Sequence, residues 1–103
     1  MPRYICKLND MYFEWSTVVD APVTYGFSLE EFKEYYKEEY GKLCFEHELP
    51  ERLERVEKTG TSAFNQSIDS IISYNRAGPN ESCLSKNELI EFLKNRIPHK
   101  NNQ

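Results

Sequence analysis

The sequence predicts a small α+β fold: an N-terminal antiparallel β-hairpin, or a three-stranded meander, covered by about four short helices. Three observations predict it. Residues 3–16 sort cleanly into two faces about a two-residue turn. Two capping boxes, Ser28-Leu29-Glu30-Glu31 and Ser85-Lys86-Asn87-Glu88, announce helix starts. After residue 28 the apolar residues recur at helical spacing instead of alternating.

The hairpin follows from its register. With Asn9-Asp10 at the tip, where both residue types tolerate positive φ, the opposed pairs are Leu8 with Met11, Cys6 with Phe13 and Tyr4 with Trp15. All six are apolar or aromatic. The other face carries Lys7 with Tyr12, Ile5 with Glu14 and Arg3 with Ser16, and it is mostly polar. A one-residue slip destroys this sorting. The second strand is expected to run on through Thr17, Val18 and Val19 and to break at Asp20-Ala21-Pro22. Residues 23–27 alternate again, as a short third strand would.

The first helix runs from Ser28 to a stop at Gly41, with Leu29, Phe32, Tyr36 and Tyr40 on one face and Glu30, Glu34 and Glu38 on another. Pro50 opens a second helix through Lys58, with Leu53 and Val56 inward. Thr61 or Ser62 caps a third, whose stripe is Phe64, Ile68, Ile71 and Ile72 and which ends near Asn75. Leu89, Leu93 and Ile97 mark the last helix, and Pro98 stops it. These apolar stripes are expected to pack on the apolar side of the sheet. Residues 1–98 are expected to form one domain, and residues 99–103 a disordered polar tail.

The 103 residues carry a net charge of −4, with ten acids and six bases falling in residues 28–60. That balance argues against direct nucleic-acid binding, which needs a basic surface to displace counterions. Aromatics reach 14%, enough to serve a contact surface as well as a core. No apolar run is long enough to cross a membrane, and no signal peptide is evident. Three widely spaced cysteines, Cys6, Cys44 and Cys83, read as free thiols in a reducing cytoplasm.

Few constellations carry chemistry. Cys44-Phe45-Glu46-His47 is one Cys-x-x-His pair without a second, so no metal and no cofactor are expected. His47 and His99 fall in a loop and the tail, too loosely held for a nucleophile–histidine pair. No phosphate-cradling glycine loop is present, and the chain is expected not to be an enzyme. Two segments remain. Trp15, Thr17, Asp20, Thr24 and Tyr25 place aromatics, hydroxyls and a carboxylate at one sheet end, where a ligand pocket would use them for stacking and hydrogen bonding. Each also has an ordinary role: strand residue, turn residue or core. Asn75 and Arg76 precede Gly78-Pro79, and the Arg76 fork suits phosphate, although a cation beside a helix end also needs no ligand.

The runs Tyr12–Thr17, Asp20–Thr24 and Asn75–Pro79 resemble small accessory proteins encoded by bacteriophages. The resemblance implies a non-enzymatic protein that counters host defence in the host cytoplasm. Its concrete form is an oligomeric sponge for a nucleotide-derived signal, with Arg76 on phosphate or ribose, Trp15 or Tyr25 on the base, and Asp20 or Asn75 on polar edges. The rival is an inhibitor that meets a host defence protein through the acidic helix or the hairpin edge.

Overall fold

Residues 3–95 are described by a computed structural model. Strands β1 (Arg3–Leu8), β2 (Met11–Ser16) and β3 (Ala21–Pro22) form one antiparallel sheet in the order β1-β2-β3. Helices α1 (Leu29–Tyr40), α2 (Lys42–His47), α3 (Leu49–Thr59), α4 (Ile68–Ile72) and α5 (Lys86–Asn95) follow. The expected stripe residue Ile97, the stop at Pro98 and the tail lie outside the described residues. No helix among the described residues is long and apolar enough to cross a membrane.

The hairpin has the expected register, from Arg3 opposite Ser16 to Leu8 opposite Met11. Asn9 and Asp10 take φ of 53° and 66°, the two positive values of a type I′ turn, whose twist matches that of the flanking strands. Both predicted capping boxes form: Ser28 with Glu31, and Ser85 with Glu88.

The sheet departs from expectation in having helices on both faces. Cys6, Leu8, Phe13 and Trp15 pack with Ala63, Ile71, Ile72, Leu89 and Leu93. On the opposite face Ile5 and Tyr12 pack with Phe27, just before α1, and with Phe32 and Tyr36 from α1 and Leu49 and Val56 from α3. The polar reading of that face misjudged Tyr12 and Glu14. Tyr12 buries its ring and sends its hydroxyl to the Glu57 carboxylate, 2.6 Å away at the rim. Glu14 is buried together with hydrogen-bond donors.

The second strand ends at Ser16, not Val19. The Ser16 hydroxyl accepts from the amides of Val18 (3.1 Å) and Val19 (3.4 Å), its carbonyl accepts from Asp20, and Asp20 turns the chain at φ 54°. A serine side chain thus offers the backbone a turn in competition with the ladder. The third strand comes earlier than expected. Pro22 holds Ala21 extended, and this pair is itself β3, at a sheet edge where proline is tolerated. Pairing lapses beyond Val23 and resumes with one bridge between Tyr12 and Phe27. In the gap, the Thr24 hydroxyl accepts from the Glu14 amide at 3.0 Å.

The expected third helix is also shorter at both ends. It starts at Ile68 behind an Ser67 cap and stops at Ile72. Thr61 and Ser62 do not cap it because they are used as an extended segment along the outer edge of β1. Thr61 bridges Cys6, the Ser62 amide donates to the Ile5 carbonyl (2.8 Å), and the Ile5 amide donates to the Ser62 hydroxyl (2.9 Å). Gly60, at the end of α3, accepts from the Lys7 amide (2.8 Å).

Gly60 stands in the left-handed region at φ 84°, and a Cβ there would lie 2.6 Å from the Ile68 side chain. Gly60→Ala is therefore expected to cost about 1–2 kcal/mol through the backbone alone, and more through Ile68. Urea unfolding is expected to show a lower midpoint with an unchanged slope.

Candidate functional site

The seven residues singled out from the sequence take up different duties. Asp20 and Arg76 do come together: the Arg76 amide donates to the Asp20 carbonyl (2.8 Å), and the guanidinium lies 3.4 Å from the Asp20 carboxylate and 3.2 Å from that of Glu81. The fork also reaches the Val18 carbonyl. Arg76 stands four residues beyond the last residue of α4, so it does not cap a helix end. Asn75 is buried, and its amide is spent on the chain. Nδ2 donates to the carbonyls of Ile72 (2.7 Å) and Leu84 (2.9 Å), and Oδ1 accepts from the amides of Ala77 and Leu84. Thr24 is buried in the sheet gap, and Tyr25 packs edge-on against Phe27. Thr17 lies half-buried in the turn after β2. Trp15 is wholly core, edge-on to Tyr74, with an indole N–H that has no hydrogen-bond partner among the described residues. These residues build the joint between the sheet end and the segment after α4.

A different arrangement forms beside α3. Its sequence Glu51-Arg52-Leu53-Glu54-Arg55-Val56-Glu57-Lys58 repeats every three residues. At 3.6 residues per turn, such a repeat lays Glu51, Glu54 and Glu57 along one stripe and Arg52, Arg55 and Lys58 along the next. Val56 and Leu49 point into the core and fix the rotation of the helix. Glu57 accepts from the Tyr12 hydroxyl (2.6 Å) and pairs with Lys7 (3.3 Å), and these two, Tyr12 first, hold its carboxyl below the usual range. No ion pair joins Arg52, Arg55 or Lys58 to an acid among the described residues.

The segment 61–66 supplies the opposite wall. Pinned to β1 at Ser62, it presents Phe64, which is 71% exposed and so lies outside the core stripe expected of it. Val18, Val19, Leu43 and Tyr74 are exposed too, so exposure alone does not set Phe64 apart; what gathers around it does. Arg55 Nε donates to the Ser62 carbonyl (2.9 Å), and its guanidinium lies over the Phe64 ring at 4.3 Å. Asn65 follows at φ 62°, and Gln66 is held by the hydroxyls of Tyr4 and Tyr74.

The stacked pair Arg55–Phe64, with Ala63, is common to two adjoining concavities. One, of about 480 Å³, also takes in Lys58, Thr59, Asn65, Gln66, Ser67 and Ser70. The other, of about 310 Å³, takes in Arg3, Tyr4, Arg52 and Ser62. Among the described residues, neither is lined by a carboxylate. On a chain of net charge −4, this is a segregated basic strip with an aromatic platform at its middle. Cations, amides and hydroxyls around an exposed ring suit a flat aromatic group carrying anionic oxygens.

Behind the strip lies the Glu14 carboxylate, fully buried. It accepts from Tyr35 (2.6 Å) and Tyr40 (2.7 Å), and Arg3 Nη1 lies 3.1 Å away. Arg52 Nη2 donates to the Arg3 carbonyl (2.8 Å) and Nη1 to the Tyr36 hydroxyl (3.0 Å). The buried carboxylate and these bonds fix both arginines where they enter the groove.

Burial first, and then the neighbouring Glu14, push the phenols of Tyr35 and Tyr40 upward, that of Tyr40 to about 12 from an ordinary 10.0. The folded state therefore holds these protons more tightly than the unfolded chain. The stability they contribute is whole below pH 10 and is lost as the pH climbs toward 12. Thermal melts are expected to fall across that window, and Tyr40→Phe is expected to shallow the fall.

The cysteines take no part in the strip. Cys6 is buried, with its thiol pushed up to about 12 by desolvation, Cys44 is half-buried, and Cys83 is exposed. Among the described residues, no group of three or more His, Cys, Asp or Glu side chains is placed to hold a metal ion.

Sequence reasoning missed Arg52, Arg55, Lys58 and Phe64. The three-residue charge repeat was the available sign of the first three. No family model matches the chain, and neither the curated proteins nor the solved structures provide a match.

Proposed function

We propose that this chain is a non-catalytic binding protein that sequesters a nucleotide-derived signalling molecule, acting as a phage-type counter to host defence. The observation that carries the reading is the Arg55–Phe64 stack between two basic, acid-free concavities. A base stacks on such a platform, and such interactions are worth about 1–3 kcal/mol per base. Arg55, Lys58 and Arg52 meet the phosphates as charge-assisted donors. Binding without turnover fits the lining, which offers hydroxyls, amides and cations but no carboxylate, imidazole or thiol to serve as a general base. This reading moves the ligand from Arg76, which is engaged by Asp20 and Glu81, to Arg55.

Isothermal titration against cyclic mononucleotides, cyclic dinucleotides and ADP-ribose tests it. Saturable heat is expected with at least one of them, and the bound ligand is expected to be recovered unchanged by chromatography. No heat from any of them would sink the reading, and recovery of a converted ligand would overturn its non-catalytic part.

The second reading, an inhibitor of a host defence protein, keeps one specific support. Glu30, Glu34 and Glu38 lie exposed on α1 with no ion pair among the described residues. Lys37 leans over the Phe45 ring and forms no ion pair with them. The hairpin edge does not serve this reading. Along β1 the Arg3 carbonyl, both Ile5 groups and the Lys7 amide are taken by Arg52, Ser62 and Gly60.

A further inference from the structure

We infer that the groove selects a nucleotide bearing phosphate on both its 3′ and its 5′ oxygens, the chemistry of a 3′,5′-phosphodiester, over one whose phosphates lie together on one side. This rests on the reading of the strip as a nucleotide site and deepens it. The observation is the division of the strip by its own platform. Arg55, lying over Phe64, lines both concavities and stands between Arg52 and Lys58 in the three-residue repeat of α3, so we take the pair as the wall between them. Lys58 lies on one side of the wall, among side-chain hydroxyls and amides. Arg52 lies on the other, with Ser62 and the Glu14-anchored Arg3.

Arg52 and Lys58 are six residues apart on α3, about 9 Å along the helix axis at 1.5 Å per residue. Neither forms an ion pair with an acid among the described residues, although Arg52 also borders the cluster of Glu14 and Glu48. A base resting on the wall therefore has a cation on each side of it. A nucleoside 5′-diphosphate delivers both phosphates to one side and leaves the other cation unmatched. A nucleoside phosphorylated at both the 3′ and 5′ positions sends one phosphate each way across the ribose and carries about one more negative charge near neutral pH. Salt screens that charge advantage, whereas the advantage of placement persists, so the two ligands are compared in about 0.5 M salt.

The experiment titrates the full chain with adenosine and uridine 3′,5′-bisphosphates, the matching 5′-diphosphates and the 5′-monophosphates. The bisphosphate of at least one base is expected to bind about tenfold tighter than its 5′-diphosphate, the factor of one net charge-assisted hydrogen bond. Lys58→Ala, at an exposed position that leaves the fold intact, is expected to bring the bisphosphate down to the monophosphate level, and Lys58→Arg to restore it. A 5′-diphosphate that binds as tightly as the bisphosphate overturns the inference while leaving the nucleotide reading standing. So does a Lys58→Ala loss equal for all ligands. No binding by any of the six overturns the inference, and the titration with cyclic dinucleotides and ADP-ribose then decides the nucleotide reading. A 3′,5′-linked dinucleotide and a longer single-stranded oligonucleotide distinguish the source of the linkage. Equal affinity for the two supports a small ligand, and affinity that keeps rising with length overturns it in favour of a single strand.

Discussion

Glu14→Ala is expected to destabilise the protein by about 3 kcal/mol, at the low end of what removing one partner of a buried ion pair costs. The carboxylate is fully buried and satisfies Tyr35, Tyr40 and Arg3 together. Its removal leaves two half-buried hydroxyls without their acceptor and a cavity between β2 and α1. The Arg3 side chain, about a third exposed, regains water and softens the loss. For a domain of this size the change corresponds to a melting temperature lower by about 12 °C or more. Glu14→Gln keeps the shape and one acceptor oxygen but not the charge, and is expected to fall roughly midway. Scanning calorimetry on the three proteins gives the order. A Glu14→Ala melt within a few degrees of the parent contradicts the role assigned to this cluster.

Phe64→Ala is expected to weaken nucleotide binding at least tenfold while leaving the melting temperature nearly unchanged. The two halves of the result come from one fact, the 71% exposure of the ring. A side chain so exposed contributes little to folding, and truncating it removes the stacking surface and the guide for the Arg55 guanidinium at 4.3 Å. Arg55→Ala is expected to cost as much again in affinity. The double variant is expected to lose less than the sum, because each residue positions the other. Titration calorimetry on this cycle, with melts run in parallel, separates a ligand platform from a loop residue. Equal affinities in parent and Phe64→Ala protein contradict the platform.

What the sequence disclosed was governed by range. The hairpin register was legible because its pairs are close in sequence and one face is uniformly apolar. The caps at Ser28 and Ser85 were legible because a capping box is complete within four residues. The second buried face was not, because Glu14 looks solvent-facing until Tyr35, Tyr40 and Arg3 arrive from elsewhere. Phe64 was assigned to a core stripe because its spacing to Ile68 is helical. The pairing of Thr61 and Ser62 with β1, some 55 residues away in sequence, holds that segment extended instead. The groove is a product of that long-range pairing. Its cationic half was written in the three-residue repeat of α3, but its aromatic half was not. Arg76 and Asp20 come from two segments that the sequence singles out separately, and their meeting makes an ion pair that ties two loops.

An amide NMR spectrum followed during titration with a 3′,5′-linked dinucleotide tests the central claim most directly. The account predicts saturable shifts confined to residues of α3 from Arg52 to Lys58 and to the segment from Ser62 to Ser67, with the amides of Asp20 and Arg76 unmoved. Shifts centred on Asp20, Asn75 and Arg76, or none at all, would contradict it.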